Sequence, residues 1–252
     1  MFYWIPNDKF PRFREAVQSI ADIYVGICDV YAADMLIVIG RNRSFLADTH
    51  FRESFRSSVQ NAQESSILWR VHTLAWAATH ALNIPGDFVE CGVLRGFSSA
   101  VLCKYLDFAK ISKTFFLYDT FAGLPPETST EHERNIWNPA YNDDPEELCS
   151  RVRQTFSPYP NVKIVRGIVP ASFQQAAPDS IAYLHIDMNS VQAELLALEH
   201  LFDRVSPGGL IVLDDFGWQC NLEQAQTQVE FMKQRGYSIL ELPTGQGMVI
   251  KR

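Results

Sequence analysis

Four short runs rich in β-branched and aromatic residues constrain this chain more than any other feature. Each ends on polar residues: 114–118 at Asp119, 162–165 at Arg166-Gly167, Ile181–Ile186 at Asp187, and 210–213 at Asp214-Asp215. Runs of this length and composition read as buried strands. Stretches of helical character at 146–156, 192–204 and 223–236 alternate with them. Strands alternating with helices give a parallel sheet wound by right-handed crossovers. The rhythm breaks at the C-terminus, where runs 238–242 and 247–251 are joined only by Pro243-Thr244-Gly245-Gln246. A link that short forms an antiparallel hairpin and cannot hold a crossover helix.

A fifth parallel strand opens the series. Residues 87–99 (Asp-Phe-Val-Glu-Cys-Gly-Val-Leu-Arg-Gly-Phe-Ser-Ser) read as an apolar strand, a glycine turn, and a helix that starts near Ser98 and runs through Leu106. Such a unit aims unpaired helix N-terminal amides at whatever lies above the turn, and its glycines admit a ligand close to the backbone. A dinucleotide fingerprint G-x-G-x-x-G would need glycine where Glu90 stands. A carboxylate there repels a pyrophosphate and suits a ligand carrying an ammonium group.

The expected architecture is α/β: a doubly wound seven-stranded sheet, mostly parallel, with a C-terminal antiparallel hairpin. A helical N-terminal annex or lid over residues 1–60 precedes the sheet domain of residues 61–252. In the annex, Val17, Ile20, Ile23, Tyr24 and Ile27 predict a helix within 13–31, Gly40 to Ser44 a loop, and no strong strand. A second helix over 65–82 stops at Asn83-Ile84-Pro85-Gly86. The irregular segment 121–144, directly after a strand end, reads as a wall of the site. Its Trp137 and Tyr141 are candidates for stacking on an acceptor.

The 252 residues are 47% hydrophobic, enough for one well-buried domain with an annex. A formal charge of −7, with 29 acidic against 22 scattered basic residues, provides no footprint for nucleic acid. Five cysteines (Cys28, Cys91, Cys103, Cys149, Cys220) form no C-x-x-C pair, which argues against zinc and a disulfide framework and for a reducing cytoplasm. The apolar stretches at 1–6 and 35–39 are too short for a signal or a membrane span, so a soluble protein is expected. The annex residues Phe2, Tyr3 and Trp4, with 24–39, offer either a homodimer interface or cover for the sheet.

Ligands of a parallel sheet bind at its carboxyl edge, and four strands end there in acids: Glu90, Asp119, Asp187 and Asp214-Asp215. One isolated Asp would be read as a cap or turn residue. Four strand ends together point to a ligand. Asp119 stands where a doubly wound fold places the acid that takes a ribose diol. Asp187, Asp214 and Asp215 supply up to three hard oxygen ligands, a set that selects Mg²⁺, Mn²⁺ or Ca²⁺ over zinc. The plain alternative is one acid at work and the rest capping helices.

The order Glu90-x-Gly92-x-x-x-Gly96-x-Ser98, Leu-Tyr-Asp119-Thr-Phe-x-Gly123-Leu-Pro, His-Ile-Asp187-Met-Asn and Ser-Pro-Gly-Gly209-x-Ile-Val-Leu-Asp214-Asp215-Phe-Gly resembles the class I S-adenosylmethionine methyltransferases. Among them it is most similar to the macrocin and mycinamicin O-methyltransferase family, over roughly residues 60 to 252. The resemblance implies a methyl transfer from S-adenosylmethionine to a hydroxyl of a sugar or other diol, assisted by Mg²⁺ or Mn²⁺. It puts Glu90 and Gly92 along the methionine and ribose, Ser98 near the methionine carboxylate, Asp119 on the ribose, and Phe121 and Ile168 on either side of the adenine. Cys91, Gly96, Thr120, Gly167 and Asp187 complete the implied cofactor set, and Asp187, Asp214 and Asp215 the metal set. Many members carry an Asp-Leu-Tyr-type segment after the metal-site Asp; this chain carries Met188-Asn189-Ser190, a departure at the acceptor pocket.

For the chemistry, Asp187 is the candidate base because it reaches the strand end. His185 faces the same side one period back, which makes it a rival base by type and a second-layer or core residue by position. Two other readings stand beside this one: an NAD-dependent oxidoreductase on the same architecture, and a non-catalytic methyltransferase-like binding protein.

Overall fold

The computed structural model describes residues 5–252. Phe2, Tyr3 and Trp4, expected at an interface or over the sheet, lie outside the described residues. The chain divides into two compact units between His72 and Thr73, a boundary later than the one expected after residue 60.

The first unit contains helix α1 (Phe10–Ile23), strands β1 (Val30–Ala33) and β2 (Leu36–Ile39), and helices α2 (Thr49–Arg56) and α3 (Ala62–Ser66). The expected helix starts three residues earlier than read, at Phe10 with Pro11 in its first turn, and stops eight residues sooner. In place of its last turns stands an antiparallel hairpin, Val30 paired with Ile39 through Ala33 with Leu36. Its two turn residues, Asp34 and Met35, both have positive φ (50° and 59°). Neither belongs to the Asn-Gly or Asp-Gly pairs that announce such a turn, which is why the hairpin is silent in the sequence. What holds it is tertiary: the buried Asp34 carboxylate pairs with Arg70, Nε to Oδ2 and Nη2 to Oδ1, both at 3.2 Å.

Helix α4 (Leu68–Ala81) carries the chain into the second unit. There follow β3 (Asp87–Cys91), α5 (Phe97–Tyr105), β4 (Phe115–Asp119), α6 (Glu131–Trp137), α7 (Pro145–Phe156), β5 (Val162–Arg166), β6 (Ile181–Ile186), α8 (Val191–Leu201), β7 (Val205–Leu213), α9 (Leu222–Gln234), β8 (Leu240–Glu241) and β9 (Gly247–Ile250). The seven strands run in the order β5-β4-β3-β6-β7-β9-β8, with β9 antiparallel to β7 and β8. Helices lie on both sides, as expected of the doubly wound class. Among the described residues no helix is long and apolar enough to cross a membrane.

The central strands are largely buried, β6 at every residue. A parallel strand covered on both faces needs apolar residues at consecutive positions, which is why these runs are continuous rather than alternating. Strand β7 begins five residues before its expected start because Ser206-Pro207-Gly208-Gly209, which reads as a turn, forms an irregular strand end: the pairing with β6 shifts register between Ile181 and Tyr183. Within the segment 121–144, read as irregular, α6 opens on a capping box: Thr130 accepts from the Glu133 backbone N–H while Glu133 accepts from that of Thr130.

Two features of this fold bear directly on its carboxyl edge. Gly92 has φ +90°, and a Cβ there would stand 1.7 Å from the Asp187 carbonyl oxygen, so the glycine lets the ends of β3 and β6 approach each other. Glu194, on the inner face of α8 and 1% exposed, accepts from the Met188 backbone N–H at 3.0 Å and from Gln228 Nε2 at 2.5 Å. Burial pushes its carboxyl up to about 8 against the downward pull of the Met188 N–H, with Asp215 adding to the rise. Gln228 Oε1 has no partner, so turning that amide over would provide an acceptor for the proton of a neutral Glu194.

Gly92→Ala should therefore cost at least about 3 kcal/mol by denaturant midpoint, since left-handed strain and a backbone clash add. Gly26→Ala (φ +76°, no heavy atom within 4 Å of the added Cβ) is the control and should cost only about 1 kcal/mol. For Glu194 the raised folded pKa means that the native state binds the proton more tightly than the unfolded chain between about 4.5 and about 8. Stability falls as pH rises through that window. Glu194→Gln should flatten the decline in melting temperature between pH 5 and 8.5, with the largest gain over wild type at the alkaline end.

Candidate active site

The turn after β3 is held by a carboxylate from the neighbouring strand. Asp119 Oδ2 accepts from the backbone N–H groups of Val93 and Leu94 at 2.6 and 2.7 Å, and Oδ1 accepts from that of Phe121 at 2.6 Å. Gly92 N–H donates to the Tyr118 carbonyl and Gly167 N–H to that of Asp119, both at 2.9 Å, so three strand ends are sewn together at one residue. Leu94 and Phe121 are left-handed at φ 48° and 57°, a strained state for side-chain-bearing residues that these bonds support. The expected ribose acid is thus already the organiser of the cradle. Three of its four acceptor positions are taken and one remains on Oδ1.

Glu90 does not line the turn as an open side chain. It is 3% exposed, accepts from Ser99 Oγ on α5, and meets His185 Nδ1 at 2.9 Å. On the far side His185 Nε2 stands 3.4 Å from Asp214 Oδ1, an ion-pair distance without hydrogen-bond alignment. Asp214 Oδ1 also accepts from Gln246 Nε2 at 2.8 Å, and Gln246 Oε1 accepts from Thr244 Oγ1 at 2.9 Å. Burial alone would lower the His185 pKa, but the carboxylates of Asp214 and Glu90 outweigh it and raise it well above the usual value. His185 is thus a fully buried imidazole held between two acids. Cys91, named for the cofactor, turns a fully buried side chain into the core and offers the turn only its main chain, its carbonyl accepting from Asp187 N–H at 2.8 Å.

Ligand atoms of His185, Asp187 and Asp214 converge to within 4.8 Å of one another. Asp215, grouped with Asp187 and Asp214 from the sequence, is outside that cluster among the described residues. Consecutive residues after a strand point different ways. Asp214 turns to His185 and Gln246, whereas Asp215 acts on Glu194 and Tyr141 through its charge.

Of the two aromatic candidates in the wall, Tyr141 reaches the acids. Its hydroxyl accepts from Asn189 Nδ2 at 3.1 Å, and burial, then the charges of Asp187, Asp215 and Asp119, push its phenol far up, keeping it protonated. Trp137 ends α6, half-exposed. Asn189 itself is left-handed (φ 54°), and its Oδ1 is buried without a partner. Thr120 shapes its own turn, donating to the Gly123 carbonyl at 2.8 Å and accepting from Ala122 N–H at 3.1 Å. Gly96 caps α5 at φ 75°, Ser98 lies in that helix's first turn, Phe121 is 2% exposed, and Gly167 and Ile168 follow β5. Sequence reasoning missed the Ser99 and Gln246 contacts, since no local pattern encodes a partner 9 or 32 residues away.

The chain is similar to proteins of known family. The family described as Macrocin-O-methyltransferase (TylF) matches residues 69–238, two thirds of the chain. The mycinamicin III 3''-O-methyltransferase of Micromonospora griseorubida is 31% identical over 163 residues, which cover 58% of this chain and 62% of that protein. The 8-demethyl-8-(2,3-dimethoxy-alpha-L-rhamnosyl)-tetracenomycin-C 4'-O-methyltransferase of Streptomyces olivaceus is 30% identical over 144 residues, 53% of this chain and 54% of that one. The chain thus spans a little over half the length of the relatives it matches. Among solved structures, the O-methyltransferase NovP superposes with a TM-score of 0.62 at 20% identity, covering 73% of this chain and 80% of its own. The calicheamicin methyltransferase CalS11 does so at 0.58 and 13%, covering 95% and 93%. These two show a shared fold. The family match takes in the glycine turn and the whole row of strand-end acids, and the chain belongs to the macrocin O-methyltransferase (TylF) family.

Proposed function

We propose that this chain is an S-adenosylmethionine-dependent O-methyltransferase acting on a hydroxyl of a sugar or other diol in a small molecule or natural product. The observation that carries the reading is the juxtaposition, in a member of this family, of a glycine turn organised by Asp119 with a row of acids at the same sheet edge. Both relatives are named for O-methylation, one of them of a rhamnosyl-bearing tetracenomycin.

When bound, S-adenosylmethionine supplies the activated methyl group and its own leaving group. The chain's part is to hold and align. The turn from Gly92 to Gly96 and the first turn of α5 at Ser98 receive the methionine end, the remaining lone pair of Asp119 takes a ribose hydroxyl, and Phe121 and Ile168 flank the adenine. Asp187 Oδ accepts the proton of the acceptor hydroxyl. His185 is the less accessible group, 1% exposed and bracketed by Glu90 and Asp214.

The donor set also fits a hard divalent cation. Asp187 and Asp214 present converging carboxylates in one cluster with His185, and Asp215 follows Asp214 in the chain. Mg²⁺ or Mn²⁺ held there would serve as a Lewis acid on the acceptor hydroxyl.

S-adenosylhomocysteine should raise the melting temperature by mass action while NAD leaves it unchanged; the opposite result would favour the oxidoreductase reading. With radiolabelled S-adenosylmethionine and a panel of rhamnosides and other vicinal diols, Asp187→Asn measured with both cofactor and Mg²⁺ saturating should lose about 100-fold or more of the transfer rate. Activity within a few-fold of wild type would assign the proton to another group. EDTA should abolish turnover and added Mg²⁺ restore it; turnover indifferent to EDTA would remove the cation from the reaction.

A further inference from the structure

The glycine turn carries a side chain that neither the fold nor the acid row requires. Arg95 lies between two left-handed residues, Leu94 at φ 48° and Gly96 at φ 75°. Its Nη2 reaches across to Asp143 Oδ2 at 2.5 Å, and the other oxygen of Asp143 takes Arg151 Nη2 at 2.5 Å. Asp143 is 18% exposed and Arg95 27%, so their pair is partly desolvated, while Arg151, 51% exposed, joins it from the surface. Desolvation works to raise the Asp143 pKa, and the bonds from Arg151 and Arg95 hold it below the ordinary carboxylate range.

Asp143 is also anchored where it matters. The next residue, Asp144, is the N-cap of α7, accepting from the backbone N–H groups of Glu146 and Glu147 at 3.0 Å. Upstream, the same segment is tied to the loop after β6 at three points. Ser190 Oγ donates to the Thr128 carbonyl at 2.5 Å, Val191 N–H to Glu133 Oε1 at 2.8 Å, and Asn189 Nδ2 to the Tyr141 hydroxyl at 3.1 Å. Segment 121–144 is therefore a strap tied to the loop after β6 at Thr128, Glu133 and Tyr141, and joined near its C-terminal end, through Asp143, to Arg95 in the turn after β3.

We propose that Asp143 is a positioning residue for the cofactor: by clasping Arg95 it holds the strained turn from Gly92 to Gly96 in the shape that receives the methionine end of S-adenosylmethionine. This rests on the methyltransferase reading above. It assigns a cofactor-binding task to a residue that touches no part of the cofactor.

The test is calorimetry and stopped-flow with S-adenosylhomocysteine on the full chain. Asp143→Ala should raise Kd about tenfold, mainly through faster dissociation, and Asp143→Glu should recover most of the loss. Arg95→Met should reproduce the defect, and adding Asp143→Ala to it should cost nothing further. A Kd for Asp143→Ala within twofold of wild type overturns the proposal. So does a weakened Kd that tracks a collapse in melting temperature and is not restored by Asp143→Glu, or additive losses in the double variant. Wild-type protein that fails to bind S-adenosylhomocysteine would instead remove the methyltransferase reading, and this inference with it.

Discussion

The carboxyl edge of this sheet is organised around one buried histidine set between two acids. Glu90, Asp119, Asp187, Asp214 and Asp215 end neighbouring strands, and carboxylates gathered in a low-dielectric interior repel one another and resist ionisation. His185 lies between Glu90 and Asp214, 1% exposed, and the two carboxylates raise its pKa well above the usual value against the effect of burial. Asp119 is relieved differently, by three backbone N–H groups from two turns. Two carboxylates thus flank an internal imidazole and one is met by amide dipoles. Asp187, half-buried, and Asp215, buried, complete the row.

The same division explains why the acids were easy to find and hard to assign. A strand-end acid is legible because the strand before it is legible: β6 ends where its apolar run ends, and Asp187 follows. Whether such an acid faces the ligand or the core depends on partners contributed by other strands. Glu90 reads as a cofactor residue by position, yet Ser99 and His185 occupy it. Asp214 and Asp215 read as a pair, yet Asp214 is drawn inward by Gln246, 32 residues away. Gly92 reads as room for a ligand, and its missing side chain is needed by the Asp187 carbonyl. In each case the residue type was visible in the chain and the neighbour was not.

Outside the sheet, legibility followed the locality of the forces. The buried parallel strands and α7, α8 and α9 carry their own signals, and observed bounds differ from the expected ones by a residue or a few at most ends. Helix α6 was equally local, since Thr130-x-x-Glu133 is a capping box in plain sight, but it was hidden by the prolines and mixed polarity around it. The β1–β2 hairpin is the opposite case. Its turn residues, Asp34 and Met35, disfavour the conformation they adopt, and the Asp34–Arg70 pair holds them there. No reading of the local chain could have supplied Arg70.

The departure from the family pattern at Met188-Asn189-Ser190 has a physical context on the acceptor side. Asn189 gives its amide N–H to Tyr141, and the Tyr141 phenol, buried among Asp187, Asp215 and Asp119, is held protonated. A protonated phenol that accepts one bond still has a proton to donate, and Asn189 Oδ1 beside it is an acceptor without a partner. The pair therefore presents one donor and one acceptor side by side, the complement of a hydroxyl group.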